Sequence, residues 1–135
     1  MSQVGGPASW AEETIPVLRV ANVRAALPWY QRLGFQQEWE HRFEPHFPAF
    51  ASLRRGPEGP GVRVFLSEHQ GDAAAVGLVY LRVSDVRPIA AEFQAPVHQV
   101  DGRLELHLED PFGNRIRVGS LSGRGPGPGY TYPTG

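Results

Sequence analysis

Between Arg103 and Glu109 the chain alternates: Leu104, Leu106 and Leu108 are interleaved with Glu105, His107 and Glu109. A strand turns successive side chains to opposite faces, so this period of two predicts a strand buried on one side. Further strands are predicted over Phe35–Glu40, Phe47–Arg54 and Val62–Ser67, then over Val97–Val100 and Asn114–Val118. Two apolar runs, Ile15–Val20 and Gly77–Val83, complete the set. A different spacing separates them. Ala26, Leu27, Tyr30 and Leu33 recur every three or four positions, which predicts one apolar face of a helix ending at Gly34. Pro28 belongs in a first turn, where a missing amide costs little, so this helix is expected to begin at Arg24 or Ala25. A second helix is predicted over about Val86–Phe93, with Pro88 near its start. Asn22 and Asp85 precede the two helices, and each can accept a hydrogen bond from an unpaired amide at a helix start.

The two halves repeat. LRVANVR runs from Leu18 to Arg24 and LRVSDVR from Leu81 to Arg87, each leading from a strand into a helix. The pattern is therefore βαβββ twice, with module one over residues 15–70 and module two over residues 77–119. A module this small cannot cover its own sheet, so the two are expected to pack side by side in one α+β domain. Glu68–Ala75 links them. Arg55–Gly61 (RGPEGPG) and Asp110–Asn114 (DPFGN) read as turns, because Pro, Gly and Asp suit restricted dihedrals. Residues 1–14 form an N-terminal extension. The Gly/Pro-rich stretch after Gly119, through residues 120–135, reads as an extended or disordered tail whose Tyr130 and Tyr132 can dock on a surface.

Composition narrows the function classes. The formal net charge is -1 and the pI about 6.5. Nucleic acid and anionic membranes call for a basic excess, so neither is an expected partner. The absence of cysteine excludes disulfides, thiolate metal sites and a Cys nucleophile. A cytoplasmic location is expected, with no signal peptide and no run near the ~18 apolar residues of a membrane span.

Two βαβββ modules, the helix ending WYQRLGF (Trp29–Phe35) and the closing EDPFGNRIRV together resemble the glyoxalase/bleomycin-resistance/extradiol-dioxygenase superfamily, also called vicinal oxygen chelate proteins. The resemblance spans about Ile15–Gly119. FASLRRG (Phe50–Gly56), VRVFLSEHQGD (Val62–Asp72) and ELHLEDPFGNRIRVG (Glu105–Gly119) are most similar to the bleomycin-resistance branch. Membership implies tandem βαβββ modules forming a curved mixed sheet around a cleft. It also implies, in many members, a homodimer whose pockets draw on both chains.

Enzymes of that superfamily hold a divalent ion with His, Gln or Glu on the first and last strands of each module. The matching positions here are Ile15, Phe65, Leu78 and Arg117. Carbon side chains have no lone pair to donate and a guanidinium repels a cation, so no metal is expected there and no cofactor is implied. His41, His46, His69 and His98 lack the tight spacing of a metal site. His107 shares a strand face with Glu105 and Glu109. That arrangement suits acid–base chemistry if the face lines the cleft, and suits an ordinary solvated face otherwise. No serine sits in a GxSxG setting, and no glycine-rich loop leads into a helix to cradle phosphate.

Aromatic residues carry the remaining signal: Trp39, Phe43, Phe47, Phe50, Phe65 and Tyr80 fall in strand regions bounding the expected cleft. The resemblance implies that Trp39, Phe50 and Tyr80 match positions where bleomycin-binding proteins stack the drug's flat tail. Arg117 is expected to point into the cleft, near Arg19, Arg63 and Arg82, and to require Glu105, Glu109 or an anionic ligand group as its partner. The expectation is a metal-free, dimeric protein that sequesters a small aromatic or amphipathic ligand in a pocket between subunits. Trp39, Phe50, Phe65, Tyr80 and Arg117 line it. The rivals are a glyoxalase-like lyase or isomerase, or a dioxygenase-type enzyme, using His107 and Glu105 or a metal held elsewhere, and a scaffold that only dimerises.

Overall fold

A computed structural model gives the fold and describes residues 12–56, 62–72 and 76–121. The chain divides into two compact units, Met1–Ala74 and Ala75–Gly135. Each carries one helix and one four-stranded mixed sheet. The first unit runs β1 (Val17–Arg19), α1 (Val23–Arg32), β2 (Phe35–Arg42), β3 (Ala49–Arg55) and β4 (Val62–Ser67). The second runs β5 (Leu78–Arg82), α2 (Arg87–Phe93), β6 (His98–Val100), β7 (Arg103–Glu109) and β8 (Arg115–Leu121).

The spatial orders are β1-β4-β3-β2 and β5-β8-β7-β6, one topology written twice. In each, the first strand lies parallel to the last and the other neighbours are antiparallel. The repeated heptapeptide therefore marks a repeated fold unit. Its hydrogen bonds repeat too. The Val20 amide donates to the Ser67 carbonyl at 3.0 Å, and the Val83 amide to the Gly119 carbonyl at 2.8 Å.

Helix α1 begins at Val23, ahead of the expected Arg24 or Ala25, so Pro28 lies inside the helix and not in its first turn. Two side-chain oxygens, one amide and one carboxylate, account for the early start. Asn22 Oδ1 accepts from the Ala25 amide at 2.9 Å, as expected of a cap, and Glu68 Oε2 accepts from the Val23 amide at 2.8 Å. Glu68 lies just past β4. Its other oxygen accepts from the Ala49 amide at 2.9 Å, so one carboxylate ties helix start to strand start. In the second unit the equivalent position is Ser120, whose hydroxyl accepts from the Val86 amide at 3.3 Å. Asp85 does not cap α2 through its second or third amide: Val86 occupies the cap position, and Asp85 Oδ1 instead takes the Arg87 amide at 3.0 Å.

Burial follows the alternation. In the first sheet Leu18, Ala49, Ala51, Leu53, Val64 and Leu66 are buried, together with Val23, Ala26, Tyr30 and Leu33 from α1 and its end. In the second, Leu81, Leu106, Leu108, Ile116 and Val118 are buried, with Val86, Ile89 and Ala90 at α2. Several strand limits differ from expectation. β2 continues to Arg42, and β8 extends to Leu121, so residues 119–121 form strand and not tail. The remaining tail, with Tyr130 and Tyr132, lies outside the described residues, as does most of the N-terminal extension. Among the described residues no helix is long and apolar enough to cross a membrane.

DPFGN closes on itself. Asp110 Oδ1 accepts from the amides of Phe112 (2.8 Å) and Asn114 (2.9 Å), and Oδ2 accepts from Asn114 Nδ2 (3.0 Å). Asn114 Oδ1 in turn accepts from the Gly77 amide at 2.9 Å, fixing the entry to β5. Gly113 has φ +90°, which favours glycine. Both polar side chains are buried, so removing one strands donors away from water. Asp110→Ala is expected to lower the unfolding free energy by about 2–3 kcal/mol, because buried unsatisfied groups cost ~1–3 kcal/mol each. Urea denaturation measures this; an unchanged midpoint would show that the backbone holds the turn without the carboxylate.

Candidate functional site

In the first unit, the sheet face opposite the buried residues carries the aromatic side chains. Along β3, Ala49, Ala51 and Leu53 are buried, and Phe50, Ser52 and Arg54 turn the other way. The β2–β3 register shifts between Gln37 and Trp39, inserting one extra residue in β2. Such a bulge re-aims the strand locally. Beyond it Trp39 lies opposite Ser52 and His41 opposite Phe50, while Phe65 of β4 lies opposite Ser52 from the other side. Trp39, Phe50 and Phe65 thus converge. Trp39 stacks on Phe50 with ring centroids 6.1 Å apart and planes at 17°. Phe65 stands 5.7 Å from Trp39 and 5.2 Å from Phe50. Trp39 remains 46% exposed, so this cluster presents a ring face to ligand or solvent.

The same bulge places Glu38 beside the cluster. Register sets Arg54 opposite Arg63, two like charges across neighbouring strands. Glu38 resolves the conflict. Its Oε1 accepts from Arg63 Nε (2.7 Å) and Ser52 Oγ (2.8 Å), its Oε2 accepts from Arg63 Nη2 (3.0 Å), and Arg54 Nε lies at 3.5 Å. Arg63 also reaches Glu13 at 2.7 Å. The Arg63 guanidinium holds the Glu38 carboxyl below its usual range against the opposing effect of burial, helped by Ser52 and Arg54. Two arginines face two glutamates, so the border of the aromatic patch is internally neutralised. Glu38, Ser52 and Arg54 escape a sequence reading because the bulge that gathers them leaves no pattern; the facing arginines become visible only once register is known.

Phe43 and Phe47 do not join the cluster. They form a separate group around the β2–β3 connection, with centroids 6.3 Å apart and His41 and His46 at their edges.

In the second unit Tyr80 lies opposite Arg117 on β8. The Tyr80 ring crosses β8 over Gly119, where a Cβ would fall 1.9 Å from its hydroxyl oxygen. Only glycine leaves the ring that path. The hydroxyl then donates to Glu105 Oε2 on β7 at 2.8 Å, and Arg103 Nε lies 3.6 Å from the same oxygen. Burial, then the bond to Glu105 and its charge, raises the Tyr80 phenol above its ordinary range. Glu105 is buried and engaged by Tyr80 and Arg103, so it is neither on a solvated face nor the partner of Arg117. His107 packs beside His98, ring centroids 5.8 Å apart, and makes no hydrogen bond to Glu105 among the described residues. The acid–base pair considered from the sequence is therefore not assembled.

Arg117 borders a shallow pocket of about 190 Å³ with Leu78, His107, Glu109 and Arg115. The structure so brings together Trp39, Phe50 and Phe65 in one unit, and Tyr80 with Arg117 in the other. Of the four positions where the resemblance implies metal ligands, Phe65, Leu78 and Arg117 lie on strands and Ile15 just before β1, and none of these side chains offers a lone pair to a cation. Among the described residues no three His, Cys, Asp or Glu side chains gather as a metal site.

A family model described as "Glyoxalase superfamily protein" matches residues 3–123. No curated protein sequence matches the chain. Solved structures do match. A bleomycin-binding protein complexed with bleomycin is 19% identical, with a TM-score of 0.61, covering 83% of this chain and 100% of its own. A bleomycin resistance determinant encoded on the transposon Tn5 is 19% identical, with a TM-score of 0.62, over 83% and 99%. A glyoxalase-related enzyme from Clostridium phytofermentans is 12% identical, with a TM-score of 0.68, over 85% and 98%. These likenesses establish the α+β fold of tandem modules.

The Tyr80–Glu105 contact has a measurable sign. Glu105→Gln is expected to lower the Tyr80 ionisation midpoint toward 10.0 while leaving the part due to burial. A raised native midpoint means that the contribution to stability is present below the unfolded value and lost as pH rises through the folded one. Ring ¹³C chemical shifts of Tyr80 followed through alkaline pH test this; an identical curve in the variant would remove Glu105 from the account.

Proposed function

The chain belongs to the glyoxalase superfamily, and we propose that within it this protein binds a small aromatic molecule without transforming it. The observation that carries the reading is the cluster of Trp39, Phe50 and Phe65, in which Trp39 is exposed and the two phenylalanines are half-buried. Flat rings stacked on such a surface gain ~0.5–1.5 kcal/mol per pair beyond the area they bury. Holding a planar ligand this way requires no reacting group. The four metal positions of the superfamily support the same reading, since Ile15, Phe65, Leu78 and Arg117 supply no ligand for the ion that its enzymes employ. A structural neighbour that binds bleomycin shares the fold.

The protein acts by sequestration in the cytoplasm, as a homodimer, with each ligand held where two copies meet. Trp39, Phe50 and Phe65 supply the stacking faces, and Tyr80 and Arg117 the polar contacts. The phenol of Tyr80 is fixed by Glu105 and so presents a ring of defined orientation. Bleomycin itself is a demanding candidate, because its binders carry acidic grooves and the border of this aromatic patch is charge-balanced. Planar aromatic metabolites fit it as well.

Trp39→Ala and Phe50→Ala are each expected to weaken binding of a planar aromatic probe about two- to tenfold, the equivalent of one lost stacking pair. Isothermal titration calorimetry with bleomycin and a panel of planar heteroaromatics measures it, with elemental analysis of the same samples. Equal dissociation constants in both variants would detach the cluster from binding. Stoichiometric metal together with turnover of a hemithioacetal or catechol would replace the proposal with an enzyme.

A further inference from the structure

We infer that the pocket of the second unit is a receptor for the carboxylate group of a small monoanionic aromatic or aliphatic acid. This inference goes beyond the reading above and concerns the second unit alone. Its own basis is a different set of residues. Leu78, His107, Glu109, Arg115 and Arg117, with Leu108 and Ile116, line a pocket of about 190 Å³ in the β5-β8-β7-β6 sheet of the second unit. Register brings the polar residues together: His107 lies opposite Arg117, and Glu109 and Leu78 lie opposite Arg115 from either side.

Charge selects the ligand. Among the described residues neither Arg115 nor Arg117 forms an ion pair, although Glu109 borders the same pocket. Glu105, the other carboxylate on β7, is engaged by Tyr80 and Arg103. Two guanidinium groups against one carboxylate leave one positive charge to be balanced. A carboxylate supplies one negative charge, and its planar pair of oxygens matches the fork of a guanidinium. A phosphate dianion brings too much charge beside Glu109.

Size sets how much of the ligand enters. Pockets that enclose whole drug-sized molecules hold ~300–1,000 Å³, so this one takes a head group and leaves the rest outside. Leu78, 54% exposed at its wall, gives the adjoining carbon atoms an apolar surface. A guanidinium thus stands at a position where superfamily enzymes place a metal ligand, and it offers a fixed positive charge to an acidic group directly.

The test is an amide ¹H–¹⁵N titration of the full chain with benzoate, benzamide and inorganic phosphate. Benzoate is expected to move the signals of His107–Glu109 and Arg115–Arg117, and the isosteric neutral amide to leave them in place. Arg117→Gln should weaken benzoate about tenfold or more, as loss of a charge-assisted hydrogen bond does. Glu109→Gln should tighten it, an effect that a purely structural role would not produce. Equal shifts with benzamide, tighter binding of phosphate than benzoate, or undiminished binding in a folded Arg117→Gln protein would each overturn the inference. A planar neutral compound that moves the Trp39 indole signal while benzoate leaves Arg117 untouched refutes the carboxylate receptor and keeps the aromatic site. A benzoate response at Arg117 without any ligand at Trp39 supports the receptor and refutes that site.

Discussion

One side chain at the end of each unit's last strand, or just past it, reaches back to an amide at the start of that unit's helix. Glu68 does this for α1 and Ser120 for α2. The remaining architecture depends on that contact, because it joins three elements distant in sequence. The first strand leads into the helix, the last strand lies parallel beside the first, and the cap closes the corner between them. A helix start left uncapped exposes four unpaired amides, and a good cap is worth ~1 kcal/mol. Glu68 does more than Ser120. Its negative charge faces the positive end of the helix dipole, and its second oxygen holds the start of β3. The first unit is thereby pinned where Pro28 weakens its helix.

Once the strand order is fixed, alternation assigns every side chain to one face or the other. The buried faces of the two units are alike, being rows of Leu, Val and Ala. Their opposite faces have diverged. In the first unit that face holds three aromatic rings bordered by a neutralised Glu38–Arg63–Glu13–Arg54 network. In the second it holds an anchored tyrosine, and a pocket where Arg115 and Arg117 stand with Glu109. One fold unit written twice thus carries two different surfaces, one of clustered aromatic rings and one with guanidinium groups.

Neighbouring side chains decide what each polar group is free to do. Glu105 and Glu109 sit two residues apart on β7 and read alike. Glu105 is buried and engaged, because Gly119 opens a path for the Tyr80 ring across the intervening strand. Glu109 stays exposed at the pocket rim. The same contrast separates the arginines. Arg54 and Arg63 are matched by Glu38, and among the described residues Arg115 and Arg117 form no ion pair.

The sequence by itself determined the elements, their repetition and the Asp110–Asn114 turn, while most of the Arg55–Gly61 turn lies outside the described residues. The alternation of Leu104, Leu106 and Leu108, the paired heptapeptides and DPFGN are local signals, and local backbone preferences act on them wherever the chain goes. Only the tertiary structure decided which charges are spent and which are available. The bulge before Trp39, the reach of Glu68 to Val23 and the passage of Tyr80 over Gly119 each depend on strand register. Register brings together residues dozens of positions apart, and spacing along the chain carries no record of it.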